Sequence, residues 1–100
     1  MAKLEIAIPH NLPQEEAIKR IKQLLTETKK EHGNIIDNVK EKWTGNKSTF
    51  SFTAKGFDIA GTLAVHPRTV ELESDLPFAL SFFKGIITSV IQNKATELLK

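Results

Sequence analysis

Residues 47–76 read KSTFSFTAKGFDIAGTLAVHPRTVELESDL. Apolar and polar positions alternate through this stretch with the period of two that marks a half-buried strand. In 47–54, Phe50 and Phe52 share one face, and Thr49, Ser51 and Thr53 the other. Lys55-Gly56 is a turn. Phe57, Ile59, Leu63 and Val65 then line one face of a second strand, with Gly61 among them. Glycine inside a strand leaves room for a bulky neighbour or permits a bend. His66-Pro67-Arg68-Thr69 turns again, after which Val70 and Leu72 point inward and Glu71 and Glu73 outward.

Upstream, Gly45-Asn46 is a turn pair of the kind hairpins favour. It joins residues 47–54 to a less regular strand over 35–43, interrupted by Asp37 and Asn38. Further back, Leu4, Ile6 and Ile8 alternate with Lys3, Glu5 and Ala7, which predicts a strand ended by Pro9. Asn11-Leu12-Pro13 opens a helix, because proline suits a first turn and Glu15 and Glu16 complement the helix dipole. Ala17, Ile18, Ile21, Leu24 and Leu25 form its apolar stripe. It is expected to run to His32, with Gly33 as the left-handed stop.

Downstream, Ser74-Asp75 offers a cap and Pro77 a first turn for one long helix from Leu76 to Lys100. At about 100° per residue, its apolar side chains spread over roughly 220°, against the ~100° or more that a one-sided surface helix needs. The element order is therefore β-α-β-β-β-β-α. Short links make the middle an antiparallel meander, and strands apolar on one face only require both helices on that face. The reading is a single α+β domain over 1–100: an antiparallel five-stranded sheet, its first strand beside its last, with two helices on one face, like a reduced helix-grip fold.

The chain has 100 residues, 40% hydrophobic and 26% charged, with a net charge of +2 and pI about 9.0. That suits one globular core. Cysteine is absent, which excludes disulfides and thiolate metal sites. No apolar run approaches the ~20 residues of a membrane span. Nor does the start resemble a signal peptide, so the default expectation is a cytoplasmic protein without a transmembrane segment. Basic residues 19–30 are interleaved with Glu15, Glu16, Glu27 and Glu31, the pattern of a solvated face. Lys40, Lys42 and Lys47 around Trp43 give the one hint of nucleic acid and read as a solvated strand edge; no nucleic-acid partner is expected.

Several short motifs are shared with a known family. Trp43 stands near a turn before the phenylalanine-rich strand; Gly56-Phe57-Asp58-Ile59-Ala60-Gly61-Thr62-Leu63-Ala64-Val65 follows. Val70-Glu71-Leu72-Glu73 then leads to Leu76-Pro77-Phe78 and Phe83-Lys84-Gly85-Ile86. His10-Asn11-Leu12-Pro13 and Ala17 stand at the N-terminal side. In these the chain resembles the polyhydroxyalkanoic acid system family, small bacterial proteins encoded near polyhydroxyalkanoate granule genes. The resemblance spans nearly the whole chain, and its motifs are structural. It implies a setting at carbon-storage granules, or among the enzymes and coat proteins on them, and carries over no catalytic residue.

Nothing in the residues points to catalysis or a cofactor. His10, His32 and His66 lie far apart, without metal-ligand spacing; His10 and His66 sit at turns that a fold could bring to one sheet end. No nucleophile elbow surrounds a serine, and 56–61 lies within a strand, unlike a phosphate loop. Glu41 shares a strand face with Val39 and Trp43 and is read as exposed at a sheet edge. The surplus apolar face of the last helix is the main functional clue. Leu80, Phe83, Ile87 and Ile91, with Trp43, are the candidate partner or ligand residues. Their cover is the sheet and first helix, a second copy in a homodimer, a granule-associated protein, or an apolar surface or ligand. The expected function is a non-enzymatic accessory of polyhydroxyalkanoate storage; the alternative is an apolar-ligand module with a pocket between sheet and long helix, gated near Trp43 and Gly61.

Overall fold

The computed structural model of the chain describes residues 2–100. Five strands form one antiparallel sheet: β1 (Ala2–Pro9), β2 (Ile36–Thr44), β3 (Lys47–Ala54), β4 (Phe57–Val65) and β5 (Thr69–Leu76). Their spatial order is β1-β5-β4-β3-β2, so the first strand does pair with the last. Helices α1 (Gln14–Ile21), α2 (Leu24–Glu31) and α3 (Lys84–Leu98) cover one face, and a 3-10 helix, Phe78–Phe83, precedes α3. The α+β architecture expected from the alternation is present.

Alternation sets the core. Ile6, Ile8, Phe50, Phe52, Ile59, Leu63, Val65, Val70 and Leu72 are buried under the helices, while Glu71, Glu73, Thr49 and Thr62 stay exposed on the helix-free face. Phe50 and Phe52 stack with centroids 5.9 Å apart. From the helices, Ala17, Ile21, Leu24, Leu25, Ile87 and Ile91 complete one continuous cluster.

Three local features differ from the sequence reading. The expected helix to His32 is two segments, and it stops at His32 with φ −129° rather than at a left-handed Gly33, since the glycines of positive φ are Gly45 and Gly56. Lys22 and Gln23 keep right-handed backbone angles, but Gln23 N–H bonds Arg20 O at 3.1 Å, a tightened turn between α1 and α2. Second, β2 carries a bulge. Its register against β3 shifts between Asp37 and Lys40, and Asn38 has φ 51°, a conformation asparagine tolerates better than most residues. The bulge decides parity: an odd spacing separates Ile36 from Trp43, so a regular strand would turn them to opposite faces. With one residue looped out, both face the helices. Third, β5 extends to Leu76, beyond the expected Ser74-Asp75 cap. Ser74 instead points inward and is buried, its Oγ without a hydrogen-bond partner. Pro77, extended at φ −54° and ψ 140°, turns the chain into the 3-10 helix.

The two ends of the sheet are built differently. At the end holding the β2–β3 and β4–β5 turns, polar bonds tie the loops together. His10 N–H bonds Arg68 O at 2.9 Å, and Gln14 and Asn46 side chains both donate to Val65 O, at 2.9 and 3.0 Å. The C-terminal half of α3 is fastened too: Lys94 bonds Glu31 at 2.9 Å and Glu97 at 3.6 Å, and Arg20 donates to the carbonyls of Leu98 and Lys100. The Glu31 hydrogen bond raises the Lys94 pKa above its ordinary value. The opposite end, where β5 runs out into Phe78–Phe83, carries the exposed Phe57, Phe78 and Phe82 beside a smaller polar set, Asn38 with Thr53 and Asp58, and Lys29 with Asp37.

Candidate interaction surface

The 3-10 helix is the sequence Phe-Ala-Leu-Ser-Phe-Phe. In a 3-10 helix, side chains three apart eclipse. Leu80 and Phe83 therefore share the inward side: Leu80 is buried, and Phe83 packs half-buried against the core. Neither Phe78–Phe83 nor α3 has a side-chain cap at its start. Beyond Lys84 the α-helical period takes over, and Ile87, Ile91, Lys94 and Ala95 form the buried stripe.

This corrects the expected partner face. Leu80, Ile87 and Ile91 are core residues, touching sheet and helices. At about 100° per residue Phe78, Phe82 and Ile86 occupy one end of the wide arc and Leu80, Ile87 and Ile91 the other, and it is the first end that faces solvent. What remains outside is a different set. Phe82 is 93% exposed, Phe78 79%, Ile86 52% and, at the start of β4, Phe57 42%. Phe78 and Phe82 stand on the 3-10 segment and Ile86 in the first turn of α3, so the exposed side chains follow one another along this stretch of chain. Phe83 lies at the margin of this ridge, with the Lys55 ammonium 5.7 Å from its ring centroid, inside cation–π range.

Trp43 is not part of the ridge. It sits beside the Gly45-Asn46 turn, whereas Lys55 and Phe83 lie at the far end of β3, a strand that spans roughly 26 Å. Its ring is half-buried against the core under Lys22, whose ammonium is 5.7 Å from the centroid. Its Nε1 donates to Glu41 Oε2 at 3.1 Å. The tryptophan thus closes the core beneath the α1–α2 break. Glu41, read from sequence as exposed, is half-buried beside it. Burial raises its pKa above 4.5, and the Trp43 bond offsets part of that. A carboxyl with a raised folded-state pKa binds its proton more readily folded than unfolded, so stability falls as pH rises from 4.5 through the folded value. Glu41→Gln keeps an acceptor for the indole and removes the charge. It is expected to raise Tm near neutral pH, with the gain vanishing near and below pH 4.5; an unchanged or lower neutral Tm would contradict this.

The space expected for an apolar ligand is occupied. Phe52, Leu63 and Ile87 fill the layer between sheet and helix. At Gly61 a Cβ would lie 2.1 Å from Glu73 O and 2.6 Å from Ser74 Cβ, so the strands close together there. The larger clefts open elsewhere. A groove of about 640 Å³ on the helix-free face is lined by Lys42, Lys47, Thr49, Thr62, Glu71 and Glu73 among others. It is a floor of hydroxyls between cationic and acidic walls, in which His66 Nε2 lies 3.3 Å from Glu71.

The sequence left open whether His10 and His66 meet. They do, but through backbone: the His10 ring spans from Leu12 N–H, 3.2 Å from Nδ1, to the His66 carbonyl, 2.9 Å from Nε2. Both ring nitrogens are engaged, which makes His10 a loop clamp. Among the described residues, no group of three His, Cys, Asp or Glu is arranged to hold a metal, and no helix is long and apolar enough to cross a membrane.

Fold and surface define a small antiparallel-sheet α+β domain with a filled core and an exposed aromatic ridge at one end. The chain belongs to the polyhydroxyalkanoic acid system family: the family model described as "Putative polyhydroxyalkanoic acid system protein" matches residues 4–99. Among solved structures, the crystal structure of TTHA0849 from Thermus thermophilus is similar with a TM-score of 0.44 and 14% identity, over 98% of this chain and 92% of that one. No curated protein matches the chain significantly.

Proposed function

We propose that the protein is a non-enzymatic accessory of polyhydroxyalkanoate storage, acting by binding, with Phe78, Phe82 and Ile86 as the contact. The observation that carries this is the near-complete exposure of Phe82 beside Phe78 in a member of this family. Single exposed apolar residues are common; several large ones close together with no cover mark interaction sites. Burying one such side chain is worth about 1.5–3 kcal/mol, so a partner that covers the ridge gains substantially while the core is untouched. A binding role is favoured over catalysis because both nitrogens of His10 are taken up as a loop clamp and His66 faces a single carboxylate, Glu71, at the rim of an open groove. Among the described hydrogen bonds, no serine or threonine hydroxyl is bonded to a histidine that would activate it.

The test is co-sedimentation of purified protein with isolated polyhydroxyalkanoate granules. Wild type is expected in the granule fraction and Phe82→Ser in the supernatant, with equal Tm for the two. Equal granule binding by both would remove the ridge from the function.

A further inference from the structure

The charges around the ridge say what kind of surface it fits. From Leu76 to Thr96 the chain carries no carboxylate, and its two cations are Lys84 and Lys94. Lys94 is taken up by Glu31 and Glu97, which leaves Lys84, exposed beside Phe82 and Ile86. Lys55 stands on the other flank, over Phe83. The carboxylates at this end of the sheet are directed elsewhere. Asp58 and Asp75 occupy outward positions on the helix-free face, the former bonded to Thr53 at 3.2 Å, and Asp37 pairs with Lys29 at 3.5 Å.

Shape adds to charge. Phe78 and Phe82 are exposed over most of their surface and so stand largely clear of the body. A rigid partner would need a matching groove, whereas a fluid interface closes around such side chains unaided. Aromatic side chains flanked by lysines, on a helix lying along a surface, are the pattern of interfacial binding, in which rings enter the acyl boundary and ammonium groups meet anionic headgroups.

Resting on the reading that the ridge is a binding face, we infer that its partner is an anionic phospholipid surface, entered by Phe78, Phe82 and Ile86 and steered by Lys55 and Lys84. The contact is peripheral, with the domain remaining folded outside the lipid.

Vesicle flotation tests this, using phosphatidylcholine alone against phosphatidylcholine containing phosphatidylglycerol, each at low and high salt. Wild type is expected to float with the anionic vesicles and to be released by salt. Phe82→Ser should weaken binding about tenfold or more. Lys84→Glu, which leaves every apolar contact in place, should weaken it about fivefold or more, as loss of a basic residue near such a surface does. Equal flotation with both vesicle types, none with either, or wild-type binding by both variants overturns the inference. So does a homodimer in solution that Phe82→Ser dissociates, because the ridge is then covered by a second copy. Granules separate the two claims. Phe82-dependent granule binding without vesicle binding removes the lipid and keeps the ridge; wild-type protein that binds neither granules nor vesicles removes the ridge itself.

Discussion

Gly61→Ala is expected to cost the domain about 3 kcal/mol or more, a large part of the roughly 5–15 kcal/mol typical of a whole domain. The reason is local. Gly61 lies opposite Ser74 on β5 and Phe50 on β3. An added Cβ would meet Glu73 O at 2.1 Å, Ser74 Cβ at 2.6 Å and Phe50 Cζ at 2.9 Å. Phe50 can swing its ring, but Glu73 O is backbone in the strand that joins β4 to β1. Relief therefore requires β4 and β5 to separate. Gly85→Ala provides the control, since nothing lies within 4 Å of a Cβ at that helical position. It should stabilise by about 0.5–1 kcal/mol, because alanine loses less backbone freedom on folding. Urea titration of the two variants should move the midpoint in opposite directions. A wild-type midpoint for Gly61→Ala would mean that the strands are not packed this closely.

The second large effect separates residues that the helical wheel groups together. Ile87→Ala should destabilise by about 2–5 kcal/mol, the range for deleting a buried branched side chain. Phe82→Ala should stay within about 0.5 kcal/mol of wild type, as exposed substitutions do. Ile87 is fully buried between α3 and the sheet, whereas Phe82 is almost wholly exposed. Comparable losses for both would place Phe82 in the core and leave the protein no ridge.

These two cases show where sequence was informative. The sheet was legible because alternation with period two is a strong signal and a change of one residue inverts it; Phe50/Phe52, Leu63/Val65 and Val70/Leu72 all lie where alternation puts them. Gly61 was legible as a close approach for the same reason. The β2 bulge was not, since Asp37-Asn38 looks like a mere weakening of the strand until Ile36 and Trp43 must face the same way. The α1–α2 break has no glycine or proline to announce it. At the C-terminal side, Leu80 and Phe83 are three apart, a spacing that suits a 3-10 turn as well as an α-helix. The wide arc did not say which of its two ends packs on the sheet: the reading gave the Leu80–Ile91 end to the partner, whereas the structure buries that end and exposes Phe78, Phe82 and Ile86. The burial of Glu41 likewise depends on how α1 and α2 sit over Trp43.

Amide hydrogen exchange on granule-bound protein locates the contact on the domain. Binding through the ridge predicts slower exchange confined to Phe78–Ile86 and the adjoining Lys55–Phe57 turn. Strands β2 and β3 near Trp43 and the His10–His66 end should exchange as in the free protein. Protection appearing at Trp43 or across the helix-free face, with Phe78–Ile86 unchanged, would contradict the account.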